Sequence, residues 1–394
     1  ERDTLEMKSF VMGRVPQITF GAGRVADLPA IAADLGGSPV FIVADAGLAA
    51  LGITARIAED CAAAGLEYAM AAEVAGEPKE ALIDALASRA RAAGAKTVIG
   101  LGGGAAMDAA KLVATIAPSG TAARDYALGA KPLPGDGLPA IAVPTTAGTG
   151  SEVTRTSIVS TETGTKNWYW GEALMFEHAV LDPELTQSLP AHLTAWTGMD
   201  AVAHALEAAT SRSSNAAGRL YGLEALRILS MSLPSAVADG ADLDARSRVL
   251  WGSTVAGLAL HNCNAHMGHN ISHALGSLSR IHHGLATGLA LEVTLPWLVA
   301  RPEGEELYGR AAEALGGRSV PGDLPARFEA LMRSCTIARR LPDVCASVTP
   351  SALAKAMKSP ANRSISQNAA CPVGDEDLDE MAGQMMALPI AEPV

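Results

Sequence analysis

The chain has 394 residues, a formal net charge of −12 at pH 7, 49% hydrophobic residues and only 4% aromatic ones. That length allows two domains, each with a sizeable core, and an acidic chain without a basic run excludes a nucleic-acid surface. The most apolar segment, Leu285–Ala300, carries Glu292 and Pro296 and falls short of the roughly 18 clean apolar residues that a membrane span needs, so no membrane partner is expected.

Five cysteines, Cys61, Cys263, Cys335, Cys345 and Cys371, are scattered and form no close pair. Neither a disulfide framework nor a thiolate zinc site follows from them, and a reducing cytoplasm fits. The opening ERDTLEMKSF has no apolar signal core, and its lack of an initiator methionine reads as a trimmed or processed start.

From Gln17 to about Leu185, short β-rich runs alternate with longer alanine-rich amphipathic ones. Strands are expected at Gln17–Phe20, Val40–Ala44, Thr97–Leu101, Ala140–Val143 and Ser157–Ser160. Helices are expected at Val25–Leu35, Leu48–Ala64, Lys79–Ala93 and Ala105–Ile116. This alternation implies βαβ units on a largely parallel sheet. Loop 118–138, with its glycines and prolines, is expected to border a cleft.

After Asp182-Pro183 the character changes to successive amphipathic helices, at 193–210, 215–231, 243–262, 264–275, 284–300, 305–315, 323–334, 351–358 and 376–387. The expected division is an α/β nucleotide-binding domain over 1–187 and an all-helical domain over 188–394.

Within the first half, a strand runs through Gly102, Gly103 and Gly104 into a helix. Glycines there let the backbone approach a pyrophosphate, and the helix N-terminus offers unpaired N–H groups; a tight turn alone would also need glycine. The spacing is not Gly-x-Gly-x-x-Gly, so the standard dinucleotide topology is not indicated. A second loop, Pro144 to Thr154, is dense in hydroxyls and suits phosphate or ribose, or an ordinary polar turn. Asp45 ends its strand where a carboxylate binds an adenosine ribose and repels a 2′-phosphate, favouring NAD over NADP, or simply caps the next helix.

The second half holds the most unusual feature. Six of the chain's nine histidines (His261, His266, His269, His273, His282 and His283) fall within 23 residues, and Asp200 and His204 precede them in an apolar, alanine-rich run. Imidazoles with a carboxylate make a mixed N/O metal set. Asp200 and His204 are four apart, one helical turn on one face, and His269 and His273 repeat that spacing. Unbroken helix from His269 to His283 would span roughly 21 Å, so His283 can join His269 on one ion only if the helix breaks, for which Gly276 and Ser277-Leu278-Ser279 are the expected breaker.

Gly-Gly-Gly-x-x-x-Asp at 102–108, Pro-Thr-Thr-x-Gly-Thr-x-x-Glu-Val-Thr at 144–154, Asp-Pro-Glu-Leu at 182–185, Asp-x-x-x-His at 200–204 and the histidine set ending at His283-Gly284 together resemble the iron-containing (group III) alcohol dehydrogenase family. The resemblance covers roughly 15–390. It implies a Rossmann-like α/β domain, an all-helical C-terminal domain and a catalytic cleft between them. It also implies metal ligands at Asp200, His204, His269 and His283, and a proton-transferring histidine at His273. Cofactor contacts carry over to Gly102, Gly103, Gly104, Asp108, Thr145, Thr146, Thr149, Thr154 and Lys166.

The function implied is NAD-linked hydride transfer to or from a small primary alcohol or aldehyde, with Fe²⁺ as Lewis acid, in a homodimer or a multiple of one. By the ligand set alone Zn²⁺, Mn²⁺ or Ni²⁺ would serve as well. Departures from the family pattern are Glu77-Pro78, His282 in place of a proline, a four-residue lengthening between His283 and Pro296, the cluster Trp168-Tyr169-Trp170, and the polar Asn262 and His266, read as pocket residues. A maleylacetate reductase fits less well because Asp200 is present. A dehydroquinate-synthase-like lyase would need more basic residues than Lys111, Arg155, Lys166 and Arg280. A metal-binding protein without enzymatic activity would leave the glycine and threonine loops unexplained.

Overall fold

The structure, a computed structural model, describes residues 9–391. The chain's first eight residues, the outer ends of both expected domains and most of the opening discussed above therefore lie outside the described residues. Two compact units divide the chain between Leu189 and Pro190, with 9–13 grouped with the second.

The first unit holds eight strands, β1 (Gln17–Phe20), β2 (Val40–Asp45), β3 (Tyr68–Val74), β4 (Thr97–Gly102), β5 (Ala140–Pro144), β6 (Thr156–Ser160), β7 (Lys166–Trp170) and β8 (His178–Leu181). Six form a sheet in the order β1-β8-β5-β4-β2-β3, with every pairing parallel. Its middle strands read VFIVAD, TVIGLG and AIAVP, and β4 and β5 are buried throughout. Near-continuous apolar runs are what a parallel sheet covered on both faces requires. Helices α1 (Leu28–Leu35), α2 (Ile53–Ala63), α3 (Glu80–Ala92) and α4 (Gly104–Ile116) connect the strands.

Three strands go beyond the expectation from sequence. β3, YAMAAEV, is alanine-rich, and β8, HAVL, has only four residues, so neither carries a β-branched run long enough to stand out. Ser157–Ser160 is a strand, but it lies outside the parallel sheet. It pairs antiparallel with β7, Ile158 opposite Trp168, because Asn167 to Trp170 supplies the aromatic partner. Tyr169 faces inward, fully buried, its hydroxyl donating to Glu80 Oε1 at 2.7 Å. Trp170, one residue on and so on the opposite face, is 53% exposed.

The second unit is built from helices, α5 (Ala191–Thr210), α6 (Ala216–Ala238), α7 (Leu243–Asn262), α8 (Met267–Leu278), α9 (His283–Val299), α10 (Glu305–Ala314), α11 (Leu324–Ser334), α12 (Pro350–Met357), α13 (Pro360–Ser366) and α14 (Asp375–Met386). All but the seven-residue α13 match the expected helices within a few residues, apart from the longer C-terminal end of α6. Polar caps start several of them: Asn215 accepts from Gly218 N–H, Asp242 from Ala245 N–H and Thr349 from Ala352 N–H.

Helix α5 is buried along Gly198–Thr210 and packs against α6, α7 and α9. A helix buried all round is a unit's central element. This one carries Asp200 and His204. Among the described residues no helix is long and apolar enough to cross a membrane.

Candidate active site

In the first unit, seven of the ten residues singled out for a nucleotide (Asp45, Gly102, Gly103, Gly104, Thr145, Thr146 and Thr149) lie at or just beyond the C-terminal ends of β2, β4 and β5, which are neighbours in the sheet; Asp108 lies within α4, Thr154 before β6 and Lys166 at the start of β7. The strand order reverses between β2 and β4, since β3 lies beyond β2 and β5 beyond β4. Ligands of open parallel sheets bind outside the strand ends at such a point.

The turn into α4 is steric in origin. Gly102 has φ +147, and a Cβ there would stand 2.8 Å from Ala106 Cβ and 2.9 Å from Asp45 Cβ. Only glycine fits. A Cβ on Gly104 would meet Thr149 Cγ2 at 2.7 Å, and one on Gly103 would meet Thr146 Oγ1 at 3.4 Å. Thr145 N–H donates to the Gly102 carbonyl at 2.9 Å. Gly102, Gly103, Gly104, Asp45, Thr145, Thr146 and Thr149 thus share one surface at the start of α4, where orphan N–H groups favour an anion.

Asp45 and the remaining residues of that set are engaged within the protein. Asp45 accepts from Gly47 N–H at 2.8 Å, capping the following turn. Asp108 accepts from Ser151 Oγ–H at 2.6 Å and Ile158 N–H at 2.9 Å, so its carboxylate ties the threonine loop and β6 to α4. Burial raises its pKa, against the pull of Lys111 and these two hydrogen bonds. Thr154 Oγ1 accepts from Lys111 Nζ at 3.3 Å, and Lys166 pairs with Glu77 at 2.8 Å.

Lys111, fully buried, also donates to the Thr156 carbonyl at 2.7 Å. Burial brings its pKa down to about 8, opposed by Asp108 and Glu152. Asp108 and Lys111 therefore position the loop that follows β5.

In the second unit, the helix break falls later than expected. α8 runs through Gly276 to Leu278, and the return is made by 279–282, with α9 opening at His283. Four side chains meet there. Around Asp200 Oδ1 stand His283 Nε2 at 3.4 Å, His269 Nε2 at 3.7 Å and His204 Nε2 at 3.9 Å. Asp200, His269 and His283 each offer a ligand atom, all within 4.8 Å of one another. His204 stacks on His269 with ring centroids 4.6 Å apart.

Donor atoms bound to one ion at about 2.0–2.2 Å in a tetrahedron stand roughly 3.4 Å from each other. The spacings here approach that value. Asp200 Oδ1 and His269 Nε2 are moreover buried polar atoms with no hydrogen-bond partner in the structure, which a fold does not tolerate unless something else pairs with them. A divalent cation fits this set.

His273, one turn beyond His269, is also buried, its ring 5.1 Å from that of His283. His282 leans on Trp196, ring centroids 5.2 Å apart, and Trp196 on His192 at 5.0 Å.

One residue at this site escaped the sequence reading. Glu207, completely buried on α5, is hydrogen-bonded to His269 Nδ1 and accepts from Gly268 N–H at 2.6 Å. Burial alone would raise its carboxyl, but the imidazoles of His266 and His269 and these hydrogen bonds hold it at about 2. A signal existed: Glu207 is seven residues from Asp200, on the same helical face. His266 was read as a pocket residue; it is fully buried against Glu207 and Thr210 instead.

Residues 16–183 match the family model of the iron-containing alcohol dehydrogenases, and 194–378 match that of the C-terminal part of the same family. The chain belongs to the iron-containing alcohol dehydrogenase family. It is an oxidoreductase of the alcohol dehydrogenase type. Among its relatives is the sulfoacetaldehyde reductase of Bilophila wadsworthia, 33% identical over 80% of this chain and 81% of that protein. The probable alcohol dehydrogenase EutG of Escherichia coli is 32% identical over 88% of this chain and 87% of its own length. The crystal structure of sulfoacetaldehyde reductase from Bifidobacterium kashiwanohense in complex with NAD⁺ superposes with a TM-score of 0.88 at 26% identity, covering 96% of this chain and 99% of that one.

Proposed function

We propose that the protein is an NAD-dependent, Fe²⁺-dependent alcohol dehydrogenase or aldehyde reductase that acts on a small primary alcohol or its aldehyde. The observation that carries the reading is the convergence of three imidazole nitrogens on the buried, unpaired Asp200 Oδ1. When bound, the ion supplies Lewis acidity toward the substrate oxygen, and the nicotinamide supplies or accepts the hydride.

Asp200, His204, His269 and His283 hold the metal. Their single carboxylate offsets only half of a divalent charge, which keeps the centre electrophilic. His273 takes or returns the hydroxyl proton at a ring nitrogen, a task for which an imidazole is suited because it titrates near neutrality. Gly102 to Gly104 and the Thr145, Thr146 and Thr149 loop hold the pyrophosphate and ribose, and Asp45 disfavours a 2′-phosphate. Asp108 and Thr154 also tie the threonine loop to α4, and by the family resemblance Asp108, Thr154 and Lys166 line the cofactor site. The first unit, Arg14–Leu189, serves the nucleotide, and the helical unit that begins at Pro190 serves the metal. We infer a cytoplasmic homodimer; buried cysteines without a disulfide among the described residues suit a reducing compartment, and the family resemblance supports the dimer.

The test is elemental analysis of anaerobically prepared protein, followed by a panel of short aldehydes and maleylacetate with NADH. About one iron per chain and aldehyde-dependent NADH oxidation are expected, both lost in His269→Ala. Turnover of maleylacetate alone, or full activity and metal content in His269→Ala, would overturn the reading.

A further inference from the structure

We propose that Glu207 is a positioning residue of the metal centre: it fixes the tautomer and ring plane of His269 so that Nε2, rather than Nδ1, is the nitrogen presented to the ion. This deepens the reading of the site as a metal centre and rests on it.

A neutral imidazole has one N–H and one lone pair, and only the nitrogen with the lone pair can ligate. In water both tautomers exist, so the protein must select one. A carboxylate is purely an acceptor. With Glu207 Oε2 against His269 Nδ1, the proton sits on Nδ1 and the lone pair on Nε2. That nitrogen is the buried one facing Asp200 Oδ1 at 3.7 Å. The acceptor thus stands at the back of the ring and the vacant lone pair at its front.

Glu207 is itself held from its other side. Its Oε1 accepts from Gly268 N–H at 2.6 Å, and His266 Nδ1 lies 3.3 Å from the same oxygen. His266 is anchored in turn: its Nε2 is 3.1 Å from Thr210 Oγ1, whose hydroxyl donates to the Leu206 carbonyl at 2.8 Å. Leu206, Glu207 and Thr210 all belong to α5, while His266, Gly268 and His269 belong to the entry of α8. One carboxylate therefore satisfies an orphan N–H at the start of α8 and orients the ligand carried in that helix's first turn. The close approach is itself required, because a Cβ on Gly268 would stand 2.8 Å from Leu291 Cγ and 3.1 Å from Glu207 Oε1.

A carboxylate that only capped α8 would matter to folding and not to the ligand. Glu207→Gln separates the two roles. Its amide oxygen can keep the Gly268 N–H, but its NH₂ then faces His269 Nδ1 and demands the lone pair there, moving the proton to Nε2.

The experiment measures Co²⁺ affinity by chelator competition, the Co²⁺ absorption spectrum, and thermal unfolding of the metal-free protein, for the wild type, Glu207→Gln, His269→Ala and the double variant. Loss of a partner behind a ligating histidine costs about 10- to 100-fold in affinity. A loss of that size with an altered spectrum is expected in Glu207→Gln, with little further loss when the same change is made in His269→Ala, since Glu207 acts through His269. Wild-type affinity and spectrum in Glu207→Gln would overturn the proposal. So would equal losses in both backgrounds, which mark a purely structural role. If the wild type takes up no Co²⁺, or His269→Ala binds it as tightly as the wild type, the metal-centre reading itself fails and this proposal with it.

Discussion

Gly284 follows His283, and the two lie at the point where α9 meets α5. A Cβ on Gly284 would overlap the Trp196 carbonyl oxygen, stand 2.8 Å from the Trp196 carbonyl carbon and 3.2 Å from Asp200 Cβ. Trp196 lies inside α5, where a carbonyl is committed to the N–H four residues on, here that of Asp200. The obstacle is thus backbone that cannot rotate aside. Overpacking of this kind costs about 1–3 kcal/mol, and backbone overlap argues for the upper end. Against it stands the helical advantage of alanine over glycine, at most about 1 kcal/mol. Gly284→Ala is therefore destabilised by about 2 kcal/mol, which at about 2–4 °C per kcal/mol for a unit of this size lowers the melting midpoint by roughly 4–8 °C.

The control is the same substitution where nothing is in the way. Gly383 lies in α14 with no heavy atom within 4 Å of the position of a Cβ and no left-handed φ. Gly383→Ala gains the helical advantage alone and raises the midpoint by roughly 2–4 °C. Thermal melts followed by far-ultraviolet circular dichroism read both variants, and chelator competition with Co²⁺ reads the centre. Displacing His283 from Asp200 weakens Co²⁺ binding by about tenfold, the cost of disturbing a ligand's support, in Gly284→Ala only. Equal midpoints for the two variants, or unaltered Co²⁺ affinity in Gly284→Ala, would refute the idea that this contact seats His283.

Asp45→Asn keeps an acceptor for Gly47 N–H and removes the charge; the NADH over NADPH preference in kcat/KM is expected to fall by about tenfold, roughly 1.4 kcal/mol, and an unchanged ratio would remove Asp45 from cofactor choice. Burial lowers the Lys111 pKa to about 8 from 10.5, so between those values the unfolded chain binds the proton more readily and the residue's contribution to stability rises with pH. The urea stability of the wild type relative to that of Lys111→Met should accordingly rise from pH 8 to pH 10, and a relative stability that does not change with pH would contradict the buried-ammonium reading. Asn270, fully buried, donates to the Met357 carbonyl at 3.1 Å and the Asn362 carbonyl at 2.8 Å. Asn270→Ala strands both and should cost about 2–4 kcal/mol, seen as a lower urea midpoint with unchanged slope; a shift of under about 0.5 kcal/mol would show that the two carbonyls find other partners.

The cluster proposed to hold the metal stood out in the sequence because its residues are out of place. A carboxylate and imidazoles on apolar, alanine-rich helices have no reason to be there unless something pairs with them, and histidine is scarce enough for a cluster to stand out. Glu207 was missed for the opposite reason: in HALEAA a glutamate reads as an ordinary helix former on a solvated face, and propensity does not say which face is buried. The same blindness hid β3, whose alanines suit a helix as well as a strand, and placed His266 in a pocket. His266 precedes α8 with φ −138 and ψ −109, outside the helical region, and this conformation carries the ring under Glu207.

The break between His269 and His283 shows where local rules stop. Gly276 looked like the end of α8, yet a glycine inside a helix costs only about 1 kcal/mol, too little to stop the helix by itself. The helix runs on to Leu278, and Ser277 and Ser279 donate back to the carbonyls of Ala274 and Leu275 at 2.7 and 2.9 Å, closing its end. The chain then needs only residues 279–282 to return, with His282 extended at ψ 131, before α9 begins at His283 itself. His283 is therefore placed by the packing of α9 against α5, through Gly284, more than by the turn before it; substitutions in 279–281 that keep the loop length should leave the ligand geometry intact where Gly284→Ala does not.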